Sequence, residues 1–144
     1  METSPEKEWH CFPTKQEAYE EIRSYVMAEA EAAGLSPRRQ LQLELGMEEA
    51  VVNVIMHAYR VPGKIWLWVG RTSAGRFAID MLDHGTPFNP LTEQPAIEKD
   101  VPLMEREPGG LGIVLMKKTF PVLTYAREEF QGKAGNHLHM ELEI

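Results

Sequence analysis

The chain has one cysteine, Cys11, so no intrachain disulfide can form and a reducing, cytoplasmic setting is the expectation. Long apolar runs are missing too. The best candidates, residues 50–56 and 111–116, fall far short of the roughly 18 residues a membrane-spanning helix needs. Residues 1–8 are polar and acidic, without the apolar stretch of a secretory signal. Clustered basic residues are scarce, with only Arg38-Arg39 and Lys117-Lys118 adjacent. The balance of 15 basic against 22 acidic residues gives a net charge of −7, which argues against direct nucleic-acid binding. A partner protein or a small ligand suits such a chain better. No repeat, low-complexity tract or linker divides the 144 residues, so a single domain over 1–144 is expected. At 43% hydrophobic and 26% charged, the composition supports one substantial core.

The chain order reads β-α-α-β-β-α-β-β. A short extended piece at 9–12 stops at Pro13. Thr14 with Glu17 three residues on suggests a capping box for a first helix ending at Gly34. Ser36-Pro37 restarts the chain as N-cap and first helical residue of a second helix, running to about Tyr59. Residues 64–70 and 76–83 are β-rich and joined by Thr72-Ser73-Ala74-Gly75, a hairpin signal. The stretch 86–108 holds five of the ten prolines and no periodic pattern, which suits a functional lid. A short apolar helix at 111–120 stops at Pro121, and strands at 122–130 and 136–144 close the chain around Gly132-Lys133-Ala134-Gly135. Strands in hairpins predict an α+β two-layer sandwich with a mostly antiparallel sheet covered by helices on one face.

In the second helix, Leu41, Leu45, Val52, Ile55, Met56 and Tyr59 are expected to form the apolar stripe. Glu49, Asn53 and His57 follow at i, i+4 and i+8 as a polar row, which Glu48, about 140° from Asn53, cannot join. A carboxylate, an amide and an imidazole in a row can bind a hydrated cation and deprotonate a neighbour, although a solvated polar flank has the same pattern. Asp83-His84-Gly85-Thr86-Pro87-Phe88 puts a carboxylate at a strand end, where it can accept from an exocyclic amine; it is equally a common turn signal. Gly109-Gly110-Leu111-Gly112 opens a helix, where backbone N–H groups can hold phosphate oxygens. A P-loop is excluded, because no G-x-x-x-x-G-K-[ST] occurs. His137 and His139 share a strand face but lack a third metal ligand nearby in sequence, so they are read as ordinary strand residues. Cys11 is expected to be a small buried or edge residue, and His84 a variable turn residue.

E-E-x-x-x-N-x-x-x-H-A-Y at 48–59, D-x-G-x-P-F-N-P at 83–90 and G-G-L-G-I at 109–113 resemble the N, G1 and G2 boxes of the GHKL ATPase superfamily. Within it, the chain looks like the stand-alone anti-sigma factor serine/threonine kinases. That resemblance implies a Bergerat-type fold binding ATP and Mg²⁺, with an ATP lid at about 86–108. It implies that Asn53 coordinates Mg²⁺, that Glu49 is the general base, and that Asp83 accepts from the adenine amine beside Gly85. Gly110 and Gly112 would surround the phosphates. The implied partners are a sigma factor, an antagonist protein phosphorylated on serine, and a second copy of the chain in a homodimer. Many relatives carry a threonine on the last hairpin, where this chain has Asn136-His137. A histidine-kinase catalytic domain and a non-catalytic nucleotide-binding switch module are the rival readings. Against the former, no further helical hairpin carrying a phosphoacceptor histidine is visible in this chain.

Overall fold

A computed structural model describes residues 9–55, 63–89, 91–92 and 112–144. Among them run β1 (His10–Pro13), α1 (Tyr19–Ala32), α2 (Pro37–Asn53), β2 (Lys64–Arg71), β3 (Arg76–Asp83), α3 (Gly112–Thr119), β4 (Val122–Phe130) and β5 (Lys133–Glu143). The strands form one sheet in the order β1-β2-β3-β5-β4, and all four pairings are antiparallel. The β-α-α-β-β-α-β-β order read from the sequence is therefore present.

Alternation divides the sheet into two faces. Ile65, Leu67 and Val69 of β2, Phe77, Ile79 and Met81 of β3, and Leu138, Met140 and Leu142 of β5 point into one core. Ile22, Val26 and Ala30 of α1, Leu43, Met47, Ala50 and Val51 of α2, and Met116 of α3 complete it. The intervening strand residues belong to the opposite face, among them Trp66, Asp80, His137 and His139. The result is a two-layer α+β sandwich, as expected.

Turn chemistry fixes both hairpins. Gly75 sits at φ +78° and its N–H reaches the Thr72 carbonyl, closing the four-residue loop Thr72-Ser73-Ala74-Gly75 between β2 and β3. Phe130 pairs with Lys133, leaving the two-residue loop Gln131-Gly132 with φ +51° and +78°, the signature of a type I′ turn. β5 thus begins at Lys133 instead of the expected residue 136. A turn with both central residues at positive φ twists the strands so well that pairing starts at once.

Two further expectations are corrected. Thr14 caps no helix: a 3-10 turn, Gln16–Ala18, precedes α1, whose N-cap Ala18 makes no side-chain bond. The Thr14 N–H instead donates to the Gly63 carbonyl at 2.9 Å while its hydroxyl accepts from the Gly63 N–H, tying the end of β1 to the start of β2. Leu41 and Leu45 are exposed, 60% and 44%, and do not lie on the buried stripe of α2. Leu43, Met47, Ala50, Val51 and Val54 do, at i, i+4, i+7, i+8 and i+11, the better helical repeat. Ser36 and Pro37 behave as expected, with the Ser36 hydroxyl accepting from the Arg39 N–H at 3.2 Å. α2 is α-helical to Asn53 and π-helical at Val54 and Ile55; the expected continuation to Tyr59 lies outside the described residues. Cys11 is exposed on the edge strand β1.

Candidate nucleotide site

Two groups of candidate residues are in place. The first is on α2. Glu49 is half-buried and Asn53 is 4% exposed, one turn further along. Burial, and then the neighbouring charge of Glu48, raise the Glu49 carboxyl above the usual carboxylate range. The Asn53 side-chain Nδ2 is buried and finds no acceptor among the described residues. An unmet buried amide costs about 1–3 kcal/mol, and such an orphan in a native fold calls for a reason. Oxygen-rich ligand atoms would satisfy its N–H₂, and its Oδ1 is of the hard-oxygen type that Mg²⁺ takes. The chemistry of this residue fits a phosphate-bound cation.

α2 is held against α3 by a close approach at Gly46. A Cβ there would lie 2.9 Å from both the Phe120 ring and the Thr119 methyl. α3 starts at Gly112, the last glycine of the expected phosphate loop. Gly110, His57 and most of the expected lid lie outside the described residues.

The second group sits where β3 ends. Asp83 is 2% exposed, and its Oδ1 accepts from the Gly85 N–H at 2.8 Å and the Asn136 amide at 2.9 Å. The first bond closes an Asx-turn, which is why the strand stops here. Both bonds end on Oδ1, so Oδ2 keeps its capacity to accept an outside N–H. Burial drives the Asp83 carboxyl up, while the Asn136 and Gly85 hydrogen bonds and the Arg127 charge oppose it.

Asn136 is the hub of this group, although nothing in the sequence ranks it above His137. It lies directly opposite Asp83 in the β3–β5 register and opposite Arg127 in the β4–β5 register, so the three share a row. Its Nδ2 also donates to the Thr86 carbonyl at 3.0 Å. Its Oδ1 accepts from the Phe88 N–H and Arg127 at 3.2 Å each, and from the Tyr125 hydroxyl. Arg127 donates in addition to the Gly85 carbonyl at 2.8 Å. The D-x-G turn is thus pinned from below by β5 and β4. Gly135 permits the approach: a Cβ there would collide with the Asp83 carbonyl oxygen. The only sequence signal for Asn136 was its position on the last hairpin.

The chain matches the family model of the histidine kinase-like ATPase domain over residues 12–142 and belongs to that family. Its layered α+β fold, antiparallel sheet and helical cover accord with a Bergerat-type GHKL ATP-binding domain. No curated protein matches the chain significantly. Among the described residues, no helix is long and apolar enough to cross a membrane.

Proposed function

We propose that the protein is an ATP-dependent serine/threonine protein kinase that acts as an anti-sigma factor in a partner-switching system. In this reading it works in the cytoplasm as a homodimer, without direct nucleic-acid contact. It holds a sigma factor and phosphorylates a serine on an antagonist protein. Membership of the ATPase family supports nucleotide binding. The observation that carries the catalytic half is on α2: a carboxylate raised by burial, one turn before a buried amide that has no acceptor among the described residues.

Bound ATP supplies the γ-phosphoryl group, with Mg²⁺ neutralising the charge that develops on it. Asp83 accepts from the adenine amine through Oδ2, and Asn136 and Gly85 keep its other oxygen fixed. Asn53 would help hold the cation through Oδ1, and its N–H₂ would be satisfied by a phosphate oxygen. Gly112, at the start of α3, and Gly110, two residues earlier in the sequence, would present backbone N–H groups to the phosphates. Glu49 takes the proton of the incoming serine hydroxyl, a task that a carboxyl of raised affinity for protons performs better near neutral pH.

Glu49→Gln tests this directly, because it keeps size and most hydrogen bonding but cannot accept the proton. ATP affinity by calorimetry is expected to stay near wild type. Radiolabel transfer to a cognate antagonist is expected to fall by roughly 10²–10⁴-fold. Full transfer by the mutant removes Glu49 as base. A wild type that binds ATP yet transfers to no antagonist makes the protein a non-catalytic nucleotide switch.

A further inference from the structure

The sheet face turned away from the helices carries a second built cluster. His137 and His139 are two residues apart on β5 and therefore share a face. The third group absent from their sequence neighbourhood comes from β3, where Asp80 pairs directly with His139. Asp80 is fully buried, and its Oδ1 lies 2.6 Å from His137 Nε2 and 2.8 Å from His139 Nδ1. One ligand atom from each of the three residues falls within 4.8 Å of the others.

The far nitrogens of both rings are braced as well. His137 Nδ1 meets the Glu128 carboxylate, and His139 Nε2 meets Glu141 at 2.7 Å. A metal-ligating histidine characteristically donates its other N–H to a carboxylate, which fixes the tautomer and aims the ligating nitrogen. Both rings here have that support, and the two aimed nitrogens converge on one buried oxygen.

We propose that Asp80, His137 and His139 bind a divalent transition-metal ion, Zn²⁺ by ligand type, on the face opposite the nucleotide site. Two imidazoles and one carboxylate suit Zn²⁺ and its neighbours, whereas Mg²⁺ prefers all-oxygen sites. Ligand atoms around tetrahedral zinc stand about 3.3 Å apart, from metal–ligand bonds of about 2.0–2.1 Å. The two nitrogen–oxygen separations, 2.6 and 2.8 Å, therefore widen by about 0.5–0.7 Å, within the reach of χ rotations. The ion takes the place of the hydrogens that bridge Asp80 to the two rings, which move to the far ring nitrogens or leave as protons, and water fills the fourth position.

Nucleotide-free, chelator-stripped full-length protein, titrated with ZnCl₂ by calorimetry and with CoCl₂ by visible absorption, tests the assignment. The expected result is one ion per chain and the intense cobalt bands of four- or five-coordination. His139→Gln, at a half-buried position, is expected to abolish the cobalt bands and weaken Zn²⁺ at least 100-fold. Glu141→Gln, which removes only a brace, is expected to weaken it roughly 10–100-fold. Asn53→Ala is expected to leave Zn²⁺ binding unchanged, which separates this site from any cation held with ATP. Asp80→Asn alters a fully buried group and can cost folding, so His139→Gln, with its fold checked by near-ultraviolet circular dichroism, carries the decision. Absence of Zn²⁺ binding at micromolar concentration in the wild type overturns the proposal, as does equal binding by His139→Gln. The cluster is then a hydrogen-bonded network alone.

Discussion

β3 carries two buried aspartates, three residues apart and on opposite faces of the sheet, and their surroundings differ in kind. Asp80 is 0% exposed and lies between two imidazoles, groups able to carry compensating charge. Asp83 is 2% exposed and receives an amide and a backbone N–H, both neutral donors and both on one oxygen. A buried carboxylate with ionisable partners is balanced by its own fold. One whose direct donors are neutral, with the Arg127 charge acting only from a distance, is costlier to keep ionised. The contrast separates a carboxylate balanced by ionisable neighbours from one held mainly by neutral hydrogen bonds on a single oxygen.

The same substitution at both positions should therefore have opposite consequences for folding. Asp80→Asn leaves two imidazoles around a weakened acceptor and is expected to destabilise the metal-free protein by about 3–5 kcal/mol, the usual cost of breaking a buried ion pair. Urea unfolding measures it, and a loss below 1 kcal/mol on that scale would erase the contrast.

Asp83→Asn comes next in size. The amide oxygen can still accept from Gly85 and Asn136, so folding stability should hold or rise. Adenine-nucleotide binding should weaken by about 1.5–3 kcal/mol, since an N–H₂ then faces the adenine amine. The pH dependence has a definite sign. Because burial raises the Asp83 carboxyl in the folded state, that state binds its proton more tightly than the unfolded chain. Its contribution to stability falls as pH rises from the unfolded pKa to the raised folded value. Asp83→Asn should flatten that limb of the stability curve, and an unchanged limb would show that another group causes it.

The smallest effect should follow from Arg127→Met. It removes the bonds to Gly85 and Asn136 and is expected to cost about 1 kcal/mol. It also removes a charge that lowers the Asp83 carboxyl, which should titrate at still higher pH by carboxyl NMR. An Asp83 titration that stays put would confine Arg127 to holding the turn.

Local chemistry was legible in the sequence wherever it decided the outcome. Ser36-Pro37, Gly75 and Pro121 marked their boundaries because caps, positive φ and a missing N–H act within a few residues. Asp83 and Gly85 were legible as a strand end for the same reason. Thr14 misled because a threonine followed by a glutamate has two uses, and Gly63, 49 residues away, claimed the hydroxyl. Leu41 and Leu45 misled because leucine is a strong hydrophobic signal, while Gly46 and Ala50, on the true buried face, are weak ones. His137 and His139 were correctly placed on one face, but the group they converge on is 57 and 59 residues away. Antiparallel pairing produced that neighbour, and no spacing within β5 encodes it. Asn136 was hidden likewise, since its importance is the sum of bonds to Asp83, Thr86, Phe88, Tyr125 and Arg127.

The pairing of β3 with β5 has a consequence for how the molecule opens. Asp83 meets Asn136, and Asp80 meets both histidines, across this one seam. A fluctuation that parts the two strands dissolves both constellations together, whichever face it starts from. A ligand on either face binds only the closed seam and so lowers the population of open molecules by mass action. Occupancy of one face thus protects the other, through nothing more than the ladder of backbone bonds they hold in common.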